Sequence, residues 1–83
     1  MASRGTILEL NPAKGMFILA LDDGLHSLWT LYSHTALAVG DSIEGRLDQM
    51  GSEWLMPQNR QHFEGFGETG STTLAECRRL MWG

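Results

Sequence analysis

Three short apolar runs, separated by two clusters of turn residues, fill the first 32 positions and limit what the chain can fold into. Residues 5–10 mix β-branched and aliphatic side chains, and Asn11-Pro12-Ala13-Lys14-Gly15 then supplies turn chemistry. Residues 16–21 form a second run of strand length, Asp22-Asp23-Gly24 a second turn, and residues 25–32 a third run. Asp, Asn and Gly tolerate the backbone angles that a hairpin demands, so the three runs predict an antiparallel meander.

The second half continues the pattern with one interruption. Residues 34–38 are too few for a stable helix and predict a single turn, after which Val39-Gly40-Asp41 opens a fourth strand over 42–47. Gln49-Met50-Gly51-Ser52 closes a hairpin into a fifth strand over 53–56, where Pro57 ends central pairing because it has no N–H to donate. Five short strands without a long helix predict an all-β, OB-type barrel, with a small SH3-like barrel as the rival.

The tail differs in character. Residues 58–70 are polar, aromatic and glycine-rich and read as a connecting stretch, whereas residues 71–82 carry Leu74, Cys77, Leu80 and Met81 at helical spacing. Thr73-Leu74-Ala75-Glu76 is a capping-box sequence, and a helix over about 72–81 is short enough to require packing against the barrel. The expectation is one domain over 1–83, with a barrel core over 5–58 and a C-terminal extension over 59–83.

Composition bounds the function classes. Eighty-three residues support one core, and 42% hydrophobic with 19% charged residues is a globular balance. A single cysteine leaves no partner for an internal disulfide, and no stretch has the ~20 apolar residues of a bilayer span. A non-membrane, cytoplasmic address is the expectation. Six Lys and Arg against ten Asp and Glu give a net charge of −4, the wrong sign for holding phosphates through the overall field. Nucleic-acid binding by such a chain has to rest on stacking and on local potential, with weak, salt-sensitive affinity.

A family pattern is nevertheless visible. Gly5-Thr6-Ile7, Asn11, Ala13-Lys14-Gly15, the apolar run to Leu19 and the Asp22-Asp23-Gly24 turn together resemble the opening of cold-shock domains. Leu28-Trp29-Thr30-Leu31-Tyr32-Ser33 is similar to the family's second RNA-binding motif, with about one extra residue in the turn before it, and Val39-Gly40-Asp41 to the start of its fourth strand. The resemblance spans about residues 5–58. It implies an OB barrel that binds single-stranded RNA or DNA through strand-borne aromatics, each stacked base contributing ~1–3 kcal/mol. By the same resemblance, three of the family's stacking positions hold Glu9, Met16 and Ile18, Leu31 stands for its histidine, and Trp29 and Tyr32 keep aromatic character. Lys14 keeps a charge, and Glu9 opposes a phosphate. The interface so implied is Lys14, Trp29 and Tyr32, helped by Phe17 or by Trp54 if either faces outward, with Arg46 and Arg60 as phosphate contacts.

Other readings of the same residues stand beside this one. Trp29 and Tyr32 also suit the core or the underside of the C-terminal segment, and an apolar face of Met16, Ile18, Trp29 and Leu31 suits a protein partner or a homodimer. Gly65-Phe66-Gly67-Glu68-Thr69-Gly70 matches a dinucleotide fingerprint in letters only, since the chain has no room for a βαβ unit and no acid ~20 residues on. It reads as a turn before the last helix. His26, His34, His62 and Cys77 lack the close spacing of a metal site, and Cys77 sits on the apolar side of the expected helix, where a nucleophile has no access. Arg78 and Arg79 serve the helix C-terminus or join Arg46 and Arg60 in a basic patch. No constellation for catalysis, a metal or a cofactor emerges, so the expectation is a non-enzymatic binding module.

Overall fold

The computed structural model of the chain describes residues 3–32, 36–58 and 61–83. Six strands form in order: β1 (Arg4–Asn11), β2 (Met16–Leu21), β3 (His26–Leu31), β4 (Ser42–Glu44), β5 (Gly51–Pro57) and β6 (Phe63–Gly67). One helix follows, α1 (Leu74–Trp82). The strands close into an antiparallel barrel in the order β1-β2-β3-β6-β5-β4, with β4 returning beside β1 in Greek-key fashion. An all-β barrel with a short C-terminal helix was the expected class; the strand count is six instead of five.

The additional strand, β6, lies in the stretch expected to connect barrel and helix. Its inward positions are Phe63, Gly65 and Gly67, and its outward ones Glu64 and Phe66. Two glycines at inward positions hide the apolar alternation that marks a strand. They are required there by close approach: a Cβ on Gly65 would lie 3.3 Å from the Trp29 ring, and one on Gly67 would lie 3.3 Å from that ring and 2.3 Å from the Gln49 carbonyl oxygen. The indole of Trp29 fills the space that two side chains on β6 would otherwise occupy. β4 is also shorter than expected, because Gly45 takes a φ of 146° and leaves the strand path after three residues.

Two apolar clusters follow from the alternation of side chains. Inside the barrel, Ile7, Phe17, Leu19, Leu21, Trp29, Ile43, Leu47, Leu55 and Phe63 pack together, with Phe17 and Phe63 edge to face at 6.3 Å. Outside it, Ile18 of β2 and Leu28 of β3 are buried under Cys77 and Met81 of α1, with Met16 and Leu74 at the margin. The chain between β6 and α1 is tied along β3: Glu68 N–H donates to the Leu28 carbonyl, the Thr69 hydroxyl accepts from Leu28 N–H, and His26 and Thr72 exchange backbone bonds. Thr73 then caps the helix by accepting from the Glu76 N–H at 3.2 Å. The helix therefore begins at a fixed place, over the outer surface of β2 and β3.

Candidate binding face

The interface expected from the cold-shock resemblance does not assemble. Phe17 pairs with Trp29 and Ile18 with Leu28 across β2 and β3, so Phe17 and Trp29 share the inner face of the barrel. Both are fully buried, and the Trp29 Nε1–H donates to the Ser27 hydroxyl at 2.8 Å inside the core. Neither ring can meet a base, which corrects the stacking role expected for them. The expected apolar face of Met16, Ile18, Trp29 and Leu31 divides in the same way, because a shift of one residue exchanges the two faces of a strand. Met16 and Ile18 point outward under α1; Trp29 and Leu31 belong to the interior.

Glu9 acts as the clasp of α1. A β-bulge between Ile7 and Glu9 breaks the alternation of β1, so that Ile7 and Leu10 both face the core while Glu9 turns outward toward the helix. Its carboxylate accepts from the Trp82 Nε1–H at 3.0 Å and from the Arg78 Nε–H at 2.5 Å. These bonds, that of Trp82 first, hold its pKa below the ordinary carboxylate value against the opposing effect of desolvation. Two residues away, the Asn11 side-chain amide donates to the Met81 carbonyl at 3.0 Å, near the end of the helix. The outer surface of β2 and β3 is thereby covered and bonded down at its rim.

Among the described residues the cations do not converge. Lys14 is exposed in the β1–β2 turn, and Arg46 is exposed beyond β4, where Gly45 N–H bonds to Ser3 at the start of β1. The eight residues of β1 separate the two, which at ~3.3 Å per residue is about 25 Å. Arg78 is engaged by Glu9, Arg79 by Glu76 and Arg4 by Glu44. Arg60 and His34 lie outside the described residues.

Of the expected aromatics Tyr32 and Trp54 are exposed, and they belong to a surface that the sequence pattern alone did not assemble. Tyr32 leaves the end of β3 and meets Phe66 of β6 edge to face at 6.3 Å, while its hydroxyl shares a 2.5 Å hydrogen bond with that of Ser52 on β5. Phe66 stands between Thr30 and Ser52, its neighbours on the flanking strands. Trp54 of β5 stands directly opposite Glu64 of β6. Trp54 is 63% exposed, Tyr32 53% and Phe66 37%, and the exposed Met56 continues the same side of β5. Glu68, just past β6, accepts from the Thr30 hydroxyl at 2.7 Å. β3, β5 and β6 contain no Lys or Arg. The face is aromatic and acidic. The available signal was the alternation of Ser52, Trp54 and Met56; Phe66 was concealed within the glycine motif.

Other features carry less. A shallow cleft of about 430 Å³ lies beside β4 and the end of β5, lined by Arg4, Ser42, Glu44, Met56, Pro57, Gln58 and His62. Its arginine and glutamate bond to each other at 2.9 Å. Burial pushes the Cys77 thiol pKa up, as befits a side chain packed under the helix. Among the described residues no group of three or more His, Cys, Asp and Glu is placed to hold a metal, and no helix is long and apolar enough to cross a membrane. Comparison of the chain with protein-family models, with curated proteins and with solved structures gives no match.

Proposed function

We propose that the chain is a non-enzymatic binding module that holds a protein partner on the outer face of β3, β6 and β5. One observation carries the reading: Tyr32, just past β3, and Phe66 and Trp54 of β6 and β5 stand exposed on one face with Glu64, and the three strands lack any Lys or Arg. Large aromatics in so small a domain ordinarily serve its core, and an exposed group of them supplies the rigid contact area from which interface hot spots are built. A polyanion approaching this face meets the Glu64 and Glu68 carboxylates while β3, β5 and β6 supply no Lys or Arg, which weakens the electrostatic attraction that nucleic-acid binding needs; among the described residues Lys14 lies at its edge, in the turn bonded to the end of β3. The nucleic-acid expectation loses Phe17 and Trp29 to the core; Tyr32 and Trp54 remain exposed, with Lys14 in the turn beside the end of β3 and Arg46 beyond β4.

The test is a titration of isotope-labelled protein with two probes, an amphipathic peptide and a single-stranded oligonucleotide, at low and moderate salt. Peptide-dependent shifts at Ser52, Trp54, Glu64 and Phe66 are expected, with the oligonucleotide silent. Salt-sensitive shifts with the oligonucleotide alone would overturn the protein-binding reading and restore single-stranded nucleic-acid binding.

A further inference from the structure

We propose, resting on the protein-binding reading above, that the partner presents an arginine-bearing basic segment whose guanidinium seats against Trp54 and Phe66, with the Glu64 carboxylate as its counter-ion. Three features of the face lead to this occupant. Trp54 and Glu64 are directly opposed across β5 and β6, which places their Cβ atoms ~4.5–5.5 Å apart, and Phe66 is the diagonal neighbour, within reach of a long side chain. No hydrogen bond or ion pair engages the Glu64 carboxylate among the described residues, whereas Glu9, Glu44, Glu68 and Glu76 each hold a partner. A cation over an exposed indole is attracted by the ring's quadrupole, and the adjacent carboxylate adds a charge-assisted bond to the same group.

The alternatives fit less well. A neutral apolar segment closing over Trp54 would strip water from Glu64 and leave its charge unpaired, a penalty that a guanidinium removes. A second copy meeting this face about a two-fold axis would set two faces of the same negative sign against each other, each carrying Glu64 and Glu68. Strand addition is closed off, because β6 is paired on both sides, by β3 and by β5. Recognition therefore falls to side chains. Arginine suits them better than lysine, since its planar group stacks on the indole while its N–H groups reach the carboxylate.

The experiment compares a short Arg-containing peptide with its citrulline counterpart, which has nearly the same shape and no charge. The Trp54 indole and the Phe66 and Glu64 amides are followed in wild type, Glu64→Gln and Trp54→Ala. The Arg peptide should bind roughly tenfold more tightly than the citrulline peptide, with that advantage reduced in Glu64→Gln and binding lost in Trp54→Ala. Equal binding of the two peptides at this face would overturn the guanidinium proposal and leave the protein-binding reading in place. Silence of both peptides, with oligonucleotide shifts in their stead, would overturn both. Trp54 and Glu64 lie on the outer surface, so both variants should keep the wild-type spectrum elsewhere.

Discussion

At the scale of single residues, Trp29 and Gly67 are two halves of one packing decision. The indole occupies the barrel where β6 would otherwise place a side chain, and Gly67 is the position with no slack, pressed between that ring and the Gln49 carbonyl. Gly67→Ala should therefore destabilise the fold by about 2–3 kcal/mol, read as a lowered urea midpoint, since the atom it meets first is backbone and cannot rotate away. Trp54→Ala should stay within ~0.5 kcal/mol of wild type in the same measurement, because its ring is mostly in water. The sequence left Trp29 open between a surface stacking role and the core, and Trp54 conditional on facing outward. The cold-shock resemblance implied an outward Trp29 on β3, but a face depends on the pairing with β2, which no single strand reveals.

At the scale of elements, the first three strands and the helix were legible, because their turns and their 3.6-residue spacing are local signals. β6 was not, since a strand with glycine at two inward positions has no period to read. α1 is held by its buried face and by the Glu9 clasp, and both can be weighed. Met81→Ala should cost ~2–4 kcal/mol, because Met81 is fully buried against Ile18 and Leu28. Glu9→Gln should cost about 1 kcal/mol at neutral pH. The Glu9 pKa is lower folded than unfolded, so its contribution is present above the ordinary carboxylate value of 4.5 and is lost as pH falls through the depressed folded value. Glu76, lowered by Arg79, runs in the same direction. Urea midpoints measured above and below that range should fall more steeply toward acid in wild type than in Glu9→Gln.

At the scale of the whole molecule, the barrel has two outer sides with different roles. Its β2–β3 side is apolar, covered by α1 and clasped by Glu9, while its β3–β6–β5 side is aromatic, acidic and open. Local signals located β2, β3 and β5 but not β6, and which side is open depends on where α1 docks and on the inward turn of Trp29. The central claim is that the open side is the functional one, and it requires Trp54 outside and Trp29 inside. The most direct measurement is the relaxation of the three indole N–H signals by a soluble paramagnetic probe. The indoles of Trp54 and Trp82, 63% and 56% exposed as residues, should both relax faster than that of Trp29, which should be protected. A Trp29 signal relaxing as fast as that of Trp54 would place Trp29 on the surface and contradict the assignment of the binding face.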